Sequence, residues 1–177
     1  PETPPAFEVI AEIPLAGRFG SNGAVWKIGF HPSGLAAYLI MQDENTDIML
    51  VVDTDPGSAS FLTVTAGTTV GSSTAPPYPT APPYPWQIDL SFTPDGNRCF
   101  VYTEDVLVTT DRFIHTLDCT NPGLPYVTNI YDAGGTGTGA RDHIDVSPRG
   151  DRAVYNATDG GFFQLGITEP APVPAGG

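Results

Sequence analysis

The sequence predicts an all-β fold made of a repeated antiparallel unit. Three observations predict it. A four-residue turn signature occurs three times, as His31-Pro32-Ser33-Gly34, Thr93-Pro94-Asp95-Gly96 and Ser147-Pro148-Arg149-Gly150. Proline presets φ at the second turn position, and glycine tolerates the exit geometry. Apolar residues alternate before each turn: Ile28 and Phe30, Leu90 and Phe92, Ile144 and Val146. That period of two is a strand period. A second apolar run follows each turn: "LAAYLIM", "NRCFVYT" and "DRAVYNA".

The remaining elements follow in order. A third strand reads "DIMLVVDTDPG" (47–57), "RFIHTLDCTNPG" (112–123) and, loosely, "GFFQLGITEPAP" (161–172). Each ends near Pro, a turn signal. A fourth strand ends in Ala-Gly: "SASFLTVTAG" (58–67) and "LPYVTNIYDAG" (124–134). The segment "AFEVIAEIPLAG" (6–17) has the same ending. No segment carries a helical period. The expected organisation is a tail (1–5), a strand completing another blade (6–17), a first blade (18–67), a Pro-rich loop (68–87), a second blade (88–134), and an incomplete third blade with a Pro-rich tail (135–177). The turn glycines at 34, 96 and 150 are spaced slightly wider than the roughly 40–50 residues of β-propeller blades. The extra length falls in loops, where it costs little.

The fold class is therefore β-propeller blades, about three four-stranded antiparallel blades per chain. Propellers close with about four to eight blades. A ring or filament completed by other chains is the expectation. A strand without a sheet and a sheet without its fourth strand point to exchange between copies. Two copies would make a six-bladed ring, and a rotation that fails to close would make a filament. The rival expectation is a piece of a longer propeller.

Composition narrows the partners. The chain has 177 residues, 40% of them hydrophobic, and a formal charge of −13 with seven Lys and Arg. Such a surface repels phosphate backbones and anionic lipids, so no nucleic-acid partner is expected. No apolar run approaches the roughly 18 residues of a membrane helix, so no membrane insertion is expected. The start, "PETPPAFEV", is not a signal peptide.

The blade pattern resembles the YVTN/lactonase-like β-propellers. Their blades carry "SPDG" after the first strand and a "VID" run in the third. The matching residues here are Thr93-Pro94-Asp95-Gly96, Ser147-Pro148-Arg149-Gly150 and Val51-Val52-Asp53. The literal "YVTN" at Tyr126 to Asn129 falls in a fourth strand, not in the second where the family carries it. The family includes lactone hydrolases, electron-transfer subunits and surface-layer proteins, so the resemblance leaves the activity open.

Candidate site residues lie mainly on the long-loop face. "TAPPYPTAPPYPW" (74–86) favours stiff polyproline II. Tyr78 and Tyr84 then share one side, followed by Trp86, a ridge for another protein or a glycan. Its rival role is packing over its own blade. Asp43, Asn45 and Asp47 alternate as hard oxygen ligands and are the candidate calcium ligands. The glycine and glutamate of an EF-hand are missing, which favours a solvated hairpin tip. No other cofactor is expected. His143 aligns with Lys27 and Asp89 in the innermost strand, so Arg141, Asp142 and His143 form the one cluster that could line a central channel. A structural role competes with it. Neither G-x-S-x-G nor C-x-x-C-H occurs.

Cys99 and Cys119 lie at similar height on consecutive antiparallel strands, so a disulfide is expected, with an oxidising compartment. Its loop would contribute about 3 kcal/mol in the chain-entropy model. Two buried free thiols are the alternative. The functional expectation is an extracellular or periplasmic, secreted homo-oligomer or filament with a structural or protein-binding role. The alternative is part of a propeller enzyme, a lactonase-like hydrolase or oxidoreductase subunit completed by other residues.

Overall fold

The alternating apolar runs fold as strands that pair in chain order. The structure, a computed structural model, describes residues 12, 13, 15, 24–42, 48–69, 86–104, 112–133, 143–156 and 162–167. Eleven strands lie among the described residues. The first sheet is β1 (Ala24–Phe30), β2 (Ala36–Gln42), β3 (Ile48–Asp53) and β4 (Val64–Thr69), hydrogen-bonded in that order. The second is β5 (Trp86–Phe92), β6 (Arg98–Glu104), β7 (Arg112–Asp118) and β8 (Tyr126–Asp132). The third is β9 (Ile144–Val146), β10 (Arg152–Asn156) and β11 (Phe162–Gly166). Every neighbouring pair is antiparallel.

The repeated turn has one geometry throughout. Gly34, Gly96 and Gly150 take φ of +74°, +76° and +72°, a left-handed conformation that glycine adopts without a Cβ clash. Their amides donate to His31, Thr93 and Ser147 carbonyls at 2.8, 2.9 and 2.8 Å.

The sheets stack face to face and converge on their first strands, β5 packing against β1, β2 and β9. Strand alternation sets what each face carries. Ala36, Tyr38, Ile40, Met49 and Val51 of the first sheet meet Leu90, Cys99, Val101, Leu117 and Cys119 of the second. The opposite face of the second sheet gives Phe100, Tyr102 and Ile114 to Ile144, Ala153 and Tyr155 of the third. A third cluster, Ala37, Leu39, Leu50 and Val52, lies on the outer face of the first sheet, with Ile13 and Leu15 packed on it.

Two expectations shift. The fourth strand of the first blade starts at Val64 and not at Ser58. Residues 54–63 turn instead. Asp53 accepts from the Asp55 amide (2.9 Å) and the Ser60 hydroxyl (2.6 Å), and Leu62 takes φ +59°. Of the segment 6–17, the described residues 12, 13 and 15 carry no strand pairing.

Candidate functional site

Two register shifts build the main polar cluster. The register of β1 shifts between Val25 and Lys27, and that of β5 shifts between Gln87 and Asp89. A one-residue shift reverses which face a side chain occupies. Lys27 thereby pairs with Ile40 and faces the second sheet, and Asp89 pairs with Tyr102 and faces the third. Each reaches its counterpart in the next sheet.

The Asp89 carboxylate lies at the centre, 2% exposed, between Lys27 (40%) and His143 (73%). One oxygen, Oδ1, accepts from Lys27 Nζ and from the Leu90 amide (2.8 Å). The other, Oδ2, accepts from the Ile144 amide (3.0 Å) and His143 Nδ1 (3.2 Å). A buried carboxylate is expensive unless paired and hydrogen-bonded; four donors meet that cost. Ser91 adds a parallel tie, donating to Asp145 (3.3 Å) and accepting from the Val146 amide (3.2 Å). Donation from Nδ1 fixes the tautomer of neutral His143, which leaves Nε2 as an acceptor. Such a nitrogen can take a proton or a ligand.

The alignment of Lys27, Asp89 and His143 was visible in the sequence, each seven residues before a turn glycine. Their mutual contact was not. The expected grouping of His143 with Arg141 and Asp142 cannot be followed, since both neighbours lie outside the described residues. So do Tyr78, Tyr84, Asp43, Asn45 and Asp47. Of Trp86 only the backbone is described, at the start of β5. Among the described residues no group of three His, Cys, Asp or Glu could hold a metal ion.

The expected disulfide is corrected. Cys99 and Cys119 are free, buried thiols. The register explains this. Cys99 lies opposite Leu117, and Cys119 is two residues further along, a diagonal of about 7–8 Å that exceeds ordinary disulfide geometry. The thiols donate to backbone carbonyls instead, Cys99 to Phe100 (3.9 Å) and Cys119 to Leu117 (3.8 Å); burial pushes Cys99 well up, and the neighbouring Cys99 thiol holds Cys119 down. Burial, then the neighbouring thiols, push Tyr38 up as well, and its hydroxyl donates to the Pro122 carbonyl at 3.0 Å. A protonated, buried thiol is a poor nucleophile.

Two further histidines are structural. His31 occupies the first position of its turn. Its Nδ1 accepts from the Ser33 amide (3.1 Å), so Nε2 donates to the Gly96 carbonyl (2.8 Å) of the next turn. His115 is buried beside Thr103, with Nε2 3.0 Å from the hydroxyl. Its Nδ1 has no hydrogen-bond partner among the described residues. Burial pushes His115 down to about 4.

No protein-family model matches the chain, and no curated protein does. Solved structures do. A 6-phosphogluconolactonase-like protein of Bacteroides uniformis superposes with TM-score 0.56 at 18% identity, over 80% of this chain and 36% of that one. The Cps50 (Swd1) β-propeller domain of Myceliophteria thermophila gives 0.55 at 11%, over 81% and 40%. A protein of Desulfotomaculum acetoxidans whose function is unknown gives 0.51 at 17%, over 80% and 41%. At these identities the likeness concerns the fold alone. This chain spans 36–41% of the length of those three proteins. The described sheets are consecutive blades of a β-propeller.

Proposed function

We propose that the chain is an extracellular or periplasmic β-propeller module of the YVTN/lactonase-like kind. Its role is structural and binding, and it self-assembles by strand exchange into an oligomer or filament. The observation that carries this reading is the third sheet. Among the described residues it ends on β11 after three strands, where the first two sheets have four. An open sheet edge invites a strand, and segment 6–17 has the composition of a fourth strand. The acidic surface and the repeated "SPDG"-like turns support the compartment and the family.

In this reading the aromatic ridge of Tyr78, Tyr84 and Trp86 binds another protein or a glycan, and Asp43, Asn45 and Asp47 offer a calcium site. Removing residues 1–17 tests the assembly. The truncated chain is expected to lose the oligomer by light scattering and to expose the edge of β11 to hydrogen exchange. A well-folded monomer at micromolar concentration, with or without the segment, would end the reading.

One observation favours a second reading, a propeller enzyme whose site is completed by other residues. Asp89 holds His143 with an acceptor nitrogen facing solvent, an arrangement suited to general-base chemistry. Lactone hydrolysis abolished by His143→Ala with the fold intact would support it. Hydrolysis unaffected by that change would remove it.

A further inference from the structure

The three sheets repeat the same positions in different surroundings. Four and six residues before each turn glycine stand Phe30 and Ile28, Phe92 and Leu90, Val146 and Ile144. In the second sheet Leu90 is buried, and the Phe92 ring lies 5.0 Å from Tyr38 of the sheet before. In the third sheet Ile144 is buried and Val146 packs against the second core. In the first sheet Ile28 is 53% exposed and Phe30 66%. Their cross-strand partners are Leu39 and Ala37, so they face away from the second sheet, toward the side where a preceding sheet would stand.

The turns give an independent indication. A Cβ on Gly96 would lie 2.5 Å from the His31 ring, and one on Gly150 would lie 3.2 Å from Pro94. Each turn is thus roofed by the turn of the preceding sheet. Gly34 has nothing within 4 Å of its would-be Cβ. Ile13 and Leu15, with Val25 of β1, pack on the part of this face carried by β2 and β3, while Ile28 and Phe30 of β1 stay exposed.

This chain holds the complementary surface. The position of Tyr38 and Phe100, which cover the next sheet, is taken in the third sheet by Val154. Tyr38 and Phe100 are buried, whereas Val154 is 42% exposed. It faces away from the second sheet, because its neighbours Ala153 and Tyr155 fill the second core.

We infer that the exposed face of the first sheet is a docking surface for the third sheet of a second copy of this chain. Phe30 then packs against the partner's Val154 as Phe92 packs against Tyr38. Gly34 receives the partner's Ser147-Pro148 turn as Gly96 receives His31. The contact is head-to-tail, so it closes as a ring or runs on as a filament. The inference rests on the self-association proposed above and specifies which faces meet.

Light scattering across a concentration series tests it. Phe30→Asp and Val154→Asp alter exposed side chains, so the monomer fold does not depend on them. The unsubstituted chain is expected to associate, and each variant to raise the dissociation constant at least about tenfold. As a second measurement, Phe30→Cys and Val154→Cys chains are mixed with a short bismaleimide. A band at twice the chain mass, absent from either variant alone and from the unsubstituted chain, supports the pairing. Association that persists in both aspartate variants, with no cross-link in the mixture, overturns the docking face and leaves self-association standing. An unsubstituted chain that stays monomeric throughout overturns both and gives the face to a different partner.

Discussion

Between the first and second sheets, Tyr38, Ile40, Met49 and Val51 meet Leu90, Cys99, Val101 and Leu117, all of them buried. Between the second and third, rings carry the contact: Tyr102 lies 6.0 Å from Tyr155, which stacks at 5.2 Å on Phe163. Phe163 is 42% exposed, so this second interface thins toward its outer rim. The inner strand differs too, seven residues in β1 and β5 but three in β9. One registration rule thus supports two interfaces of different depth. Cohesion follows how many strands contribute closed side-chain contacts, not the pattern of the repeat.

The sharpest way to break the comparison is to cut the same position in two sheets. Tyr38→Ala removes a ring with no exposed surface and is expected to cost about 4 kcal/mol in urea unfolding. Val154→Ala, at the equivalent place, is expected to stay within about 0.5 kcal/mol in the monomer. Equal losses would mean that the outward face of the third sheet is as closed in the monomer as the face that Tyr38 fills.

His115 marks the first interface with a pH signature. Burial lowers it to about 4, against about 6.5 in an unfolded chain. Above pH 6.5 both states are neutral and the full stability is present. As pH falls toward 4 the unfolded state takes up a proton that the folded state refuses, so stability drops, by about 3 kcal/mol in all. His115→Leu is expected to flatten that part of the stability profile measured between pH 7.5 and 4.5. An unchanged slope would place the titration elsewhere.

Asp89 belongs to both interfaces. Asp89→Ala leaves the Leu90 and Ile144 amides without their acceptor and is expected to cost about 2–3 kcal/mol. His143→Gln, at an exposed ring, is expected to cost less than about 1 kcal/mol. Hydrogen exchange should speed up at Ile144 more than at Leu39 in the Asp89 variant. Tyr155→Phe loses the bond to the Ala133 carbonyl (3.2 Å) and about 1 kcal/mol.

The turns were legible because proline and glycine act locally. All three turn glycines take the left-handed φ that their positions demanded. The start of β4 was not legible: "SASFLTV" reads as a strand, yet hydrogen bonds from Ser60 and Asp55 to Asp53 curl it. The Lys27, Asp89 and His143 alignment was on the page, but their contact depends on two register shifts that hydrophobic alternation does not encode. For Cys99 and Cys119 strand adjacency was legible and the register was not. A two-residue offset separates a disulfide from a pair of thiols.

Sequential pairing has a consequence for synthesis on the ribosome. Among the described residues every strand bonds only to its neighbours in sequence, so each sheet can form as it emerges and then waits for the next. Once Thr69 is made, Tyr38, Ile40, Met49 and Val51 stay uncovered until β7 ends at Asp118. That is about 50 residues, or roughly 2–10 seconds of translation. The wait recurs for Phe100, Tyr102 and Ile114 until β10 appears. Beside the standing Ile28 and Phe30 surface of the first sheet, a nascent-chain chaperone would meet one further apolar face at a time, the one facing the C-terminal side.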